Sequence, residues 1–137
     1  MSLSLIPGLH RAAHAVSLFV AALPGLDLSQ AEAHVLAHLH ATRSARINDL
    51  HAAFGHRRST LTSLLDRLEA RGFVARSIDE RDRRSVRVAL TNAGKRAASD
   101  AHRALSRAEA RVQAGFSSSE LDAFKRVADA FAALAND

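Results

Sequence analysis

Between Leu61 and Gly94 the hydrophobic period of this chain changes twice within about thirty residues, LTSLLDRLEARGFVARSIDERDRRSVRVALTNAG. Leu61, Leu64, Leu65 and Leu68 fall at i, i+3, i+4 and i+7, the spacing of a helix that buries one face. Gly72 ends that helix, where a left-handed residue costs glycine little. Phe73–Ile78 then reads as a strand. Its partner is Val86, Val88 and Leu90 alternating with Arg87 and Ala89, a period of two. The seven residues between them, Asp79–Ser85, form an arginine-rich tip. Thr91 caps a new helix.

A helix followed at once by a two-stranded ribbon with a cationic tip is the plan of a winged helix-turn-helix. Such a shape presents DNA with a helix for the major groove and a wing for the minor groove. The charge follows the same segment. Residues 43–96 hold 13 basic against 6 acidic side chains, whereas the rest of the chain holds 6 against 8. A net +7 confined to the middle of a +5 chain is what a segment facing a polyanion requires, although a solvated basic surface would show the same excess.

The flanks read as helices. Ile6, Leu9, Ala13, Val16, Val20 and Leu23 form one stripe, with Pro7 tolerated in the first turn and Pro24-Gly25 stopping the helix. Ser29 and Glu32 make a capping box for a second helix through Ala33, Leu36, Ala37 and His40. Ala41–Ala45 reads as a polar link. A short helix over about 48–54 buries Leu50 and Phe54, and Gly55 turns the chain into the leucine helix. Beyond Thr91, the stripe Gly94, Ala98, Ala101, Leu105, Ala108 and Val112 runs to a break at Gly115. Ser117 and Glu120 form a second capping box for a last helix burying Leu121, Phe124, Ala128, Phe131 and Leu134.

The terminal stripes are too small to close a core inside one subunit. A homodimer built from the two ends is therefore expected, the alternative being a monomer with those helices folded back. The fold class is mainly α with a small β-ribbon, a single domain over 1–137. A winged helix-turn-helix occupies about 26–96, and dimerisation helices about 4–24 and 92–135.

Other classes are disfavoured. No cysteine is present, which removes disulfides and thiolate chemistry. Ala12–Leu23 is too short to span a bilayer, and residues 1–9 lack the positive charge of a secretory leader, so the cytoplasm is the expected location. No glycine-rich phosphate loop and no G-x-S-x-G motif occurs, so catalysis is not expected. His10/His14 and His34/His38 are i, i+4 pairs of a kind zinc accepts. They lack the glutamate of a metalloprotease motif, and they read as surface or packing residues rather than metal ligands. No cofactor is expected.

RINDLHAAFG, STLTSLLDRLEARGFVAR, DERDRR and VRVALTNAG together resemble the MarR (multiple antibiotic resistance regulator) family of bacterial transcription factors, in detail from about Leu26 to Arg96. The resemblance implies a triangular symmetric dimer whose two winged domains meet double-stranded DNA at a pseudo-palindromic operator. The helix from about Arg57 to Arg71 matches the recognition helix, with Arg57, Arg58, Ser59, Thr62 and Ser63 toward base edges and Arg67 toward phosphate. In the wing, Asp82 and Arg84 match an acidic-arginine pair, Arg84 for the minor groove and Asp82 to orient it. Arg81 and Arg83 supply further contacts. Arg71 and Arg76 are weighed as surface partners of Glu69 or Asp79.

The family also binds small lipophilic or aromatic-acid effectors between its dimer helices and winged domain, which here implies His14, Leu18, His34, His38 and Arg96. Three departures stand out: His56 where an aliphatic residue is usual, Arg57 in place of a small cap, and Ser63 where many members carry arginine. Two other readings compete with a DNA-binding repressor, namely a winged-helix protein-interaction module and a zinc-responsive regulator.

Overall fold

A computed structural model describes residues 2–136. Its elements run α1 (Ile6–Ala21), α2 (Gln30–Thr42), β1 (Ser44–Arg46), α3 (Ile47–Phe54), α4 (Arg58–Ala70), β2 (Val74–Ile78), β3 (Val86–Leu90), α5 (Asn92–Gln113) and α6 (Ser118–Ala133), with a short 3₁₀ turn at Leu134–Asn136. The fold class is as expected, mainly helical with a small antiparallel sheet. No helix among the described residues is long and apolar enough to cross a membrane.

Both capping boxes form. The Ser29 hydroxyl accepts from the Glu32 amide at 3.2 Å and Glu32 accepts from the Ser29 amide at 3.3 Å. Ser117 and Glu120 repeat the exchange at 3.2 and 3.0 Å, and those hydrogen bonds hold the Glu120 carboxyl below its ordinary range. Thr91 caps α5 by accepting from the Gly94 amide at 3.0 Å.

The polar link expected at 41–45 is corrected. α2 runs on to Thr42, Arg43 turns with φ 68°, and Ser44–Arg46 pairs with the wing as a third strand. Strand order is β1-β3-β2, with Ala45 opposite Val88 and Arg76 opposite Val88 on the other side. His40 is exposed rather than part of the buried face of α2. That face is Ala33, Val35, Leu36 and Leu39.

The core gathers these residues with Leu50, Leu61, Leu64, Leu65, Leu68, Val74, Val88, Ala98 and Ala101. All four leucines of the α4 pattern are buried. α4 ends in a Schellman turn: the Phe73 amide donates to Leu68 O, the Gly72 amide to Glu69 O, and Gly72 sits at φ 77°. α5 then starts against the same corner. A Cβ on Gly94 would overlap the Phe73 carbonyl, so only glycine lets the helix approach that closely.

The ends are different. Of the α1 stripe only Val20 is buried, and Ile6, Leu9 and Val16 face solvent. No residue of α6 is buried, and Phe124 is 63% exposed. The burial expected for the last helix does not occur within one chain.

Candidate nucleic-acid interface

α4 owes its orientation to its leucines. With Leu61, Leu64, Leu65 and Leu68 facing the core, Arg57, Arg58, Ser59, Thr62, Ser63 and Arg67 are all left exposed. The helix start is as weakly capped as the sequence implies, since Arg57 is the N-cap and its side chain makes no capping hydrogen bond. Gly55 reverses the chain ahead of it at φ 65°. His56 takes the usual aliphatic position by stacking on Phe54, ring centroids 6.0 Å apart and 15° from parallel.

The wing tip is organised by two aspartates. Asp79, buried at the root, accepts from the Arg81 amide at 3.0 Å and pairs with Arg87 at 3.5 Å. Asp82 accepts from the Arg84 amide and the Ser85 hydroxyl, each at 3.1 Å. These bonds, the backbone one first, hold the Asp82 carboxyl below its ordinary range. Arg84 itself projects into solvent, 95% exposed, with Nε 3.6 Å from Asp82. Arg57, Arg58, Arg67, Arg81 and Arg83 pair with no carboxylate among the described residues. Their charge is free for an external anion.

Behind the exposed arginines stands a brace that the sequence foreshadowed only in part. Arg76 on β2 donates to Asp66 at 2.5 Å and Glu69 at 2.7 Å, both on α4, and these hydrogen bonds raise its pKa. It thus ties the wing to the helix. The Glu69 pairing was an expected option; Asp66 was not. Arg71 departs from expectation altogether. It pairs with neither Glu69 nor Asp79. Instead it donates to the carbonyls of Asp27 and Leu26 at 2.6 and 3.0 Å, lies 3.7 Å from Glu32, and sits over the Phe73 ring. A third tie runs from Arg87 to Ser44 Oγ at 2.9 Å, joining β3 to β1. None of these long-range partners has a local sequence signal.

The residues expected to line an effector crevice are dispersed within one chain. His14, Leu18 and Arg96 face solvent. His34 and His38 are half-buried toward the α3–α4 corner, where His38 meets Phe54 edge-on at 5.4 Å. Burial, and secondarily the neighbouring His56, push the His34 pKa down. No group of three or more histidine, aspartate or glutamate side chains placed to hold a metal ion occurs among the described residues.

An exposed helix at the turn of a three-helix core, followed by a basic β-ribbon, defines a winged helix-turn-helix protein. Residues 28–86 match the MarR family model. A curated relative, the HTH-type transcriptional regulator YfiV of Bacillus subtilis, is 44% identical over 71 residues, which is 52% of this chain and 44% of that protein. The matched stretch therefore spans less than half the relative's length. Among solved structures, the S. aureus MepR–DNA complex is similar with a TM-score of 0.80 at 20% identity, covering 97% of this chain and 99% of that one. MarR from Oenococcus oeni gives 0.77 at 17% identity, over 93% and 94%. Over residues 28–86, less than half of the chain, the sequence is thus similar to the MarR family.

Proposed function

We propose that this protein is a cytoplasmic, sequence-specific DNA-binding regulator, a homodimeric repressor of a pseudo-palindromic operator that a small lipophilic or aromatic-acid effector releases. The observation that carries this reading is the set of exposed arginines without carboxylate partners at the start of α4 and at the wing tip. Arg57, Arg58, Ser59, Thr62 and Ser63 are the candidates for base edges, and Arg67 for phosphate. Arg84 enters the minor groove while Asp82 holds the tip that presents it, with Arg81 and Arg83 beside it.

Dimerisation is supported by the apolar side chains left on α1, the distal half of α5 and α6, among them Ile6, Leu9, Val112, Phe124 and Val127. An open apolar surface rimmed by polar residues on an otherwise well-packed chain marks an association surface. In this reading the effector crevice at His14, Leu18, His34, His38 and Arg96 is completed only by the second subunit.

Fluorescence anisotropy with DNA from upstream of the protein's own gene, against a scrambled duplex over a salt series, tests the proposal. Selective binding that weakens steeply with salt is expected, the slope giving the number of phosphate contacts. Equal binding to both duplexes would remove sequence readout. Indifference to any duplex at low salt would favour a winged-helix interaction module instead.

A further inference from the structure

α5 carries a second polar surface that DNA contact does not use. Ser99, His102, Arg103, Ser106, Arg107 and Ala110 line a groove of about 420 Å³, within the range of small-ligand sites. They recur at helical spacing, so they share one face of α5. At 3.6 residues per turn this face lies roughly 140° around the helix from Ala98, Ala101 and Leu105, which pack into the core of the same chain.

α2 closes one end with His40, whose ring lies 4.7 Å from that of His102 with a 36° tilt. On α2, His40 falls on a different flank from His34 and His38, so this is not the crevice assigned to the effector above. Arg103 is steadied by Asp100 at 3.5 Å, while Arg107 pairs with no carboxylate among the described residues. No carboxylate lines the groove. Two guanidiniums, two imidazoles and two hydroxyls are an excess of donors, and the ligand that satisfies them has several anionic oxygens. Outside residues 43–96 the chain has 6 basic against 8 acidic side chains, so this cationic groove is not an extension of the DNA-facing charge.

We infer that the α2–α5 groove binds a small polyanion, one per chain, of the polycarboxylate or phosphate-bearing class. Arg107 and Arg103 grip its charge, Ser99 and Ser106 donate to its remaining oxygens, and His40 and His102 close over one end. The inference does not depend on the DNA reading.

Isothermal titration of the full chain with citrate, and separately with inorganic pyrophosphate, tests it against sodium chloride at matched ionic strength. Saturable binding of at least one of the two is expected. Citrate alone would identify a polycarboxylate site, pyrophosphate alone a phosphate site, and both a site selecting charge and oxygen number. The combined variant Arg107→Ala, His40→Asn should weaken binding tenfold or more, while Arg84→Ala in the wing should leave it unchanged. Because His40 and Arg107 are exposed, both substitutions should leave the thermal melt in place. If the pair melts early, Arg107→Gln alone serves the same comparison. The proposal fails if neither anion binds saturably, if the groove variant binds as tightly as the parent, or if the wing variant abolishes binding, which would put the anions on the DNA-facing arginines.

Discussion

The winged core and the terminal arms are built from equally regular helices, yet they end in opposite states. α4 buries all four of its patterned leucines and is braced by Arg76 to the neighbouring strand. α6 has the capping box that α4 lacks, yet none of its residues is fully buried, Leu121, Ala128 and Phe131 being only half-buried. Good caps and a clean apolar stripe thus establish a helix but do not say where its stripe finds cover. In the core the cover lies in the same chain. In the arms the proposed function places it in a second copy.

That contrast can be broken most severely from the arm side. Phe124→Asp combined with Val127→Asp should leave a folded core but a monomer by sedimentation equilibrium, with operator affinity reduced about 100-fold or more through loss of bivalence. A dimer that survives both changes would mean that the arms are not the association surface. From the core side, Leu64→Ala should destabilise the chain by about 2–5 kcal/mol in a denaturant titration, because it leaves a cavity in a fully buried site. A loss below about 1 kcal/mol would put Leu64 outside the tightly packed core.

Smaller effects sharpen the division within the core between scaffold and contact surface. Arg84→Ala should lower operator affinity roughly tenfold while the melting temperature and dimer mass stay fixed. Unchanged anisotropy would remove the wing from the interface. Arg76→Ala should cost less than about 1 kcal/mol in stability, since its partners Asp66 and Glu69 are substantially exposed. Its distinguishing effect should be a few-fold loss in DNA affinity, with the salt slope preserved.

The smallest is a titration. Asp82 has a lowered pKa, so its contribution to tip order is present above the ordinary aspartate value and is lost as pH falls through the lowered one. Amide exchange at Arg84 should therefore accelerate with a midpoint below about 3.9. A midpoint at or above that value would sink the turn-organising role.

What the sequence made legible was local. Ser29–Glu32, Ser117–Glu120, the α4 leucines, Gly72 and the alternating wing all declare themselves within a turn or two, and all form. β1 was hidden because three residues cannot display a period, and its pairing with Val88 joins positions 43 residues apart. Arg71 looked like a surface ion-pair former because neighbours in sequence include Glu69, whereas its acceptors are backbone carbonyls 44 and 45 residues away. Of the interface, the exposure of the arginines followed from the leucine pattern. The ties that hold them, Arg76 to Asp66 and Arg87 to Ser44, depended on topology and carried no spacing signal.

Arg71 also has a mechanical consequence. Its guanidinium grips the turn between α1 and α2 from the C-cap of α4, bypassing the leucine core. In the proposed dimer, a torque applied to α1 would reach the far end of α4 through that single side chain. The molecule has a linkage rod alongside its hydrophobic bearing.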